Sequence, residues 1–137
     1  MRKELTGSWN DHGIKEGREC AVLTNEISKA WSGMTTRQYK NYKGLKKENL
    51  RDNMTTTELI LNMLAETATK DITNVAHPQG LDENREVAKR GGNVAKVARE
   101  TLENETGKPV ITPKNAIDMS KLIEEVVNIS IDKENGE

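Results

Sequence analysis

The chain has 137 residues, which suits one domain with short extensions. Hydrophobic residues make up 34% and charged residues 31%, and the aromatics are only Trp9, Trp31, Tyr39 and Tyr42. A core built without Phe must rely on Leu, Ile, Val, Met and Ala, so it is thin. The net charge of −1 does not point to nucleic acid, the single Cys20 excludes an internal disulfide framework, and no apolar run is long enough to cross a membrane.

The start, MRKELTGSWNDHG, has basic residues but no apolar stretch of a secretory signal, so a reducing cytoplasm is the expected compartment. Residues 1–20 hold mixed charges and little periodicity and read as an irregular lead-in. Trp9 stands out there, because a tryptophan among polar residues usually docks onto something. A single helical domain is expected over 21–128, followed by an acidic tail over 129–137.

Val22, Leu23, Ile27, Ala30 and Trp31 recur at helical spacing, and Ser32-Gly33 breaks the pattern. Thr35 and Gln38 form a capping box for a short second helix from about Thr36 to Tyr42, which ends at Gly44. Thr55 and Glu58 repeat the box at the head of an apolar run. That run covers more than one helix face, so the helix near 55–73 reads as the central, most buried element. His77-Pro78-Gln79-Gly80 closes it with turn chemistry.

A long polar helix is expected near 81–105, with a narrow stripe of Val87, Val94, Ala95, Ala98 and Leu102. Gly91-Gly92 sits mid-stripe, where each glycine costs about 1 kcal/mol against Ala. Either the helix is broken there or something packs closely on that backbone. A last helix is expected near 115–128, with Ile117, Met119, Leu122, Ile123, Val126 and Val127. The fold class is thus all-α, with about five helices.

Catalytic and metal chemistry find little support. His12, Cys20 and His77 are the only His and Cys residues, at no zinc-site or metalloprotease spacing. No Ser sits in a nucleophile elbow. No cofactor, metal or catalytic residue is assigned.

Binding surfaces are better marked. Residues 37–51 hold six basic side chains (Arg37, Lys40, Lys43, Lys46, Lys47 and Arg51) against Glu48, whereas 118–137 hold six acids against Lys121 and Lys133. The segment from Thr24 to Gly44 fits a helix-turn-helix, whose second helix would present Thr36, Arg37, Tyr39, Lys40 and Lys43 to phosphates and bases. The competing reading is an ordinary α-hairpin with a solvated basic face. Lys89 and Arg90 precede Gly91-Gly92 and Asn93, where exposed backbone N–H groups at a new helix start could hold an anion.

The run EGRECAVLTNEISKAW, the run MTTRQYKNYKGLKKENLRDNMTTTELILNMLAETATKDI and the run ENREVAKRGGNVAKVARETLENETGKPV are together similar to the C-terminal region of the DNA-damage-inducible protein D (DinD) family. The similarity covers about Gly13 to Ile111. Its most specific parts are Tyr39 to Met54 and Ala88 to Gly107. Members of that family resemble two-part proteins whose N-terminal half is like the BRO-type domain of phage antirepressors. That half is missing from this sequence, which suggests a split reading frame or a small stand-alone protein. The resemblance implies a role in the DNA-damage (SOS) response or in prophage regulation, with no catalytic residues and no cofactor.

The resulting expectation is a non-enzymatic module. It binds DNA, or a DNA-bound recombination, repair or regulatory protein, through Arg37, Lys40, Lys43, Lys46, Lys47 and Arg51, with Lys89 and Arg90 in second place. The alternative is a structural module that dimerises or completes a separate BRO-type chain without touching DNA.

Overall fold

The computed structural model describes residues 2–15 and 17–113. The expected helix near 115–128 and the acidic tail lie outside the described residues. Five helices make up the described part: α1 (Arg2–Asp11), α2 (Arg18–Ser32), α3 (Thr36–Tyr42), α4 (Thr56–Ala76) and α5 (Gly80–Thr106). A short 3-10 turn spans Arg51–Asn53, and no strand occurs among the described residues. The all-α class is therefore what the sequence indicates.

The lead-in is not irregular. Its first half is the helix α1, which buries Leu5 and Trp9, one turn apart, at 0% exposure. Two apolar residues are too few to register as periodicity, and an isolated helix of ten residues is marginal in water. Packing against α4 stabilises it. Ser8 Oγ donates to Asn74 Oδ1 at 3.0 Å, and Lys70 pairs with Glu4 at 3.7 Å. Trp9 thus docks into this domain's own core, beside Leu23, Ile27 and Trp31.

Both capping boxes form. The hydroxyls of Thr35 and Thr55 accept from the backbone N–H of Gln38 and Glu58, whose side chains accept in return from the cap N–H groups. Each box satisfies two of the N–H groups that a helix start leaves unpaired. Helix α4 ends at His77, which takes the left-handed conformation (φ 49°).

The central element is α5, not α4. Helix α5 is continuous from Gly80 to Thr106 and packs against both α2 and α4. Its glycine pair explains how. A Cβ on Gly91 would lie 2.6 Å from Thr69 Cα and N, and a Cβ on Gly92 would lie 2.9 Å from the Ile27 carbonyl. The backbones of α4 and α2 therefore approach α5 on two sides at a single level. The pair creates no break and no new helix start, and Asn93 lies in the helix interior.

Helix α4 is not uniformly buried. Its inward side carries Glu58, Leu61, Ala65, Glu66, Thr69 and Thr73. Several of its large apolar residues face outward instead, Ile60 at 59% exposure among them. The hydroxyls of Thr69 and Thr73 return to the carbonyls one turn back, Ala65 and Thr69, which lets them sit inside without unpaired groups.

A basic groove between α2 and α3

Helices α2 and α3 are joined by a tight turn at Gly33, which takes a left-handed φ of 81° and closes α2 with an N–H bond to the Lys29 carbonyl. Two serines rigidify the corner: Ser28 Oγ donates to the Met34 carbonyl at 2.7 Å, and Ser32 Oγ reaches the same carbonyl at 3.1 Å. The Thr36 N–H donates to Asn25 Oδ1 at 3.2 Å and pins the start of α3 to the flank of α2. Arg99 of α5 donates to the Ser32 carbonyl at 3.1 Å, and Arg85 pairs with Glu26 at 2.8 Å, so α5 holds this corner from behind. The Glu26 carboxylate holds the Arg85 guanidinium above its ordinary pKa.

In front of the corner lies a cavity of about 830 Å3, walled by Cys20, Thr24 and Asn25 of α2 and by Thr36, Arg37, Lys40 and Asn41 of α3, with Leu45 and Lys46 at its end. A second cavity of about 350 Å3 shares Thr24, Thr36 and Lys40 with it and continues to Asn49 and Arg51. Together they form one groove, lined by four of the cations singled out in the sequence: Arg37, Lys40, Lys46 and Arg51. Lys47 is exposed next to it but does not line it. Arg51 also approaches Glu66 at 3.6 Å.

The loop that carries Lys46 is organised by an acid. The Glu48 carboxylate accepts from the Lys46 N–H at 2.6 Å, and this bond, helped by the Glu48 and Lys47 N–H groups and the Lys40 charge, holds its pKa below the usual carboxylate value. Glu48 therefore stays ionised and fixes the loop that it partly neutralises.

Lys43 is not part of this surface. It is 2% exposed, and its ammonium bonds to Glu58 at 2.8 Å and to the Thr112 carbonyl at 3.0 Å. Tyr39, which the helix-turn-helix reading counted among the residues presented to phosphates and bases, is also fully buried and donates its phenol to the other Glu58 oxygen. Tyr39 and Lys43 lie one turn apart on the inner face of α3 and meet the first turn of α4. Burial pushes the Glu58 carboxyl up to about 7, while the bond from the Thr55 N–H pulls it down. The outer face of α3 presents Arg37, Gln38, Asn41 and Tyr42.

Lys89 and Arg90 stand apart from the groove. They line a separate cavity of about 500 Å3 with Ile72, Asn93 and Val94. Anion binding at Gly91-Gly92 is overturned, because both glycines are buried within the helix and their environment is helix backbone. The residues that the sequence did not mark are Thr24, Asn25 and Asn41, which supply hydroxyl and amide groups to the groove walls. Polar residues on the outer side of an amphipathic helix carry no signal until the neighbouring helix is placed.

His12 and His77 come together. His12 Nδ1 lies 2.7 Å from the Ser8 carbonyl, and its Nε2 lies 3.3 Å from His77 Nδ1. Among the described residues no group of three or more His, Cys, Asp or Glu could hold a metal ion. No helix among them is long and apolar enough to cross a membrane.

Fold and groove together define the class: an all-α domain in which a hydroxyl- and amide-walled basic groove opens between two short helices. The family is defined more narrowly. The family model described as DinD C-terminal domain matches residues 1–126, so the chain belongs to that family. No curated protein and no solved structure matches the chain.

Proposed function

We propose that this chain is a non-enzymatic module of the DNA-damage (SOS) response or of prophage regulation, which binds DNA or a DNA-bound protein through the groove between α2 and α3. The observation that carries this reading is the convergence of Arg37, Lys40, Lys46 and Arg51 on one groove. Clustered cations favour a polyanion or an acidic protein surface, and the hydroxyls and amides between them offer directional hydrogen bonds. Family membership supports the damage-response context.

The test is a pull-down from DNA-damaged cells, with and without nuclease, using the native chain and the double reversal Arg37→Glu, Lys46→Glu. Both residues are exposed at the groove rim, so the fold should persist. Capture of nucleic acid or of a nucleic-acid-bound protein should fall at least roughly tenfold in the variant, given the weight of phosphate contacts in such binding. Undiminished capture by the variant would remove the groove from the proposal.

A further inference from the structure

The two ends of the α2–α3 groove differ in chemistry. The outer end is open and carries Arg37, Lys40 and Lys46. The inner end is the cavity of about 350 Å3, which shares Lys40 with the outer one and reaches α4. Its walls are the apolar side chains of Ile27, Leu50 and Met54, together with the amides of Asn49 and Asn62 and the carboxylate of Glu66. Glu66 is 3% exposed and lies one turn after Asn62, whose Nδ2 donates to its Oε1 at 3.1 Å. Arg51 approaches the same oxygen at 3.6 Å. These two contacts fix the carboxylate in place as a hydrogen-bond acceptor in the cavity wall.

A phosphate does not suit this inner end, because the Glu66 carboxylate would repel it. A polyanion lying on the outer cations must present something else there, a group with flat apolar faces and an N–H edge. A nucleobase is such a group. Its faces pack on apolar side chains, and its exocyclic amino group donates to a carboxylate, as cytosine N4 does. The volume agrees, since pockets for small organic groups begin at about 300 Å3. We propose that the inner end is a base pocket: a strand held by its phosphates on Arg37, Lys40 and Lys46 inserts one amino-bearing base, which donates to Glu66. In a duplex the base is stacked and its pairing edge is occupied, so the ligand is a single strand. Thymine presents the O4 carbonyl where cytosine and adenine carry an amino group, so it is disfavoured beside a carboxylate. This inference rests on the nucleic-acid reading of the groove and adds to it a ligand class and a specificity-determining residue.

The experiment uses the full chain and fluorescence anisotropy with labelled oligo(dC), oligo(dA), oligo(dT), an abasic strand of the same length and a duplex. Oligo(dC) and oligo(dA) should bind roughly fivefold or more tighter than oligo(dT), the abasic strand and the duplex, as one good base contact allows. Glu66→Gln keeps the length of the side chain and an oxygen for Asn62, but its amide can also donate to thymine O4. The preference for oligo(dC) over oligo(dT) should therefore fall toward unity in this variant. The strand series needs no variant, so it decides the matter even if Glu66→Gln does not fold. Equal binding of every strand, the abasic one included, would overturn the base pocket and leave the basic groove standing. An unchanged preference in folded Glu66→Gln would overturn it as well. Capture of a protein with no affinity for any strand would remove the nucleic-acid reading of the groove and the base pocket together.

Discussion

Lys43 and Glu58 show how a residue's role depends on what faces it. In the sequence Lys43 is one of six cations in a basic run, and Glu58 closes a capping box at the third helical position. In the fold both are fully buried and paired at 2.8 Å, with Tyr39 on the second carboxylate oxygen. Removing one partner of a buried pair leaves an uncompensated charge and costs about 3–5 kcal/mol. Lys43→Met should therefore destabilise the domain by about that much at pH 8, where Glu58 is ionised. Burial has raised the folded carboxyl to about 7 from 4.5. Stability tied to its proton is complete below about 4.5 and is lost as pH rises through about 7. The penalty of Lys43→Met should consequently shrink on acidification, because the stranded carboxyl takes up a proton. Urea titrations of both proteins at pH 5 and pH 8 measure this, and an equal penalty at both values would contradict the buried-carboxyl account.

Helices were legible in this sequence where local chemistry sets them. The starts of α3 and α4 are visible because Thr35 with Gln38 and Thr55 with Glu58 satisfy the helix N-termini within a few residues. Helix α1 is hidden because its only strong apolar residues, Leu5 and Trp9, count through contacts with distant elements. The glycine pair has a similar limit: sequence shows a cost at Gly91-Gly92, but only the fold shows Thr69 and Ile27 pressed against it. Two glycines make the point testable. Gly7 lies inside α1 with nothing within 4 Å of a built Cβ, so Gly7→Ala should stabilise by about 0.5–1 kcal/mol through helix propensity alone. Gly91→Ala gains the same propensity but drives its Cβ into the α4 backbone, 2.6 Å from Thr69 Cα. Overpacking of that kind costs about 1–3 kcal/mol or more, so the net effect should be a loss. Thermal unfolding of the two variants should shift in opposite directions.

At the scale of the whole molecule, a net charge of −1 conceals a separation of charge. The basic run was legible as a run, and the structure divides it: Arg37, Lys40, Lys46 and Arg51 line the groove, Lys47 lies beside it, Lys43 is inside, and Lys89 and Arg90 line a different cavity. That division follows from which helix face meets α4, which residue type alone does not reveal. It also bounds the electrostatics of any nucleic-acid complex. Four groove cations neutralising four phosphates give a slope of log affinity against log salt of about −2.8 for single strands and about −3.6 for duplex. Raising salt from about 50 to 200 mM should then weaken binding roughly 50- to 150-fold. Arg37→Glu with Lys46→Glu should flatten that slope by about two phosphates' worth, whereas Lys89→Glu with Arg90→Glu should leave it unchanged. Fluorescence anisotropy of labelled oligonucleotides across a salt series distinguishes the two. An equal flattening by both pairs would mean that the molecule attracts anions through its general surface charge and not through the groove.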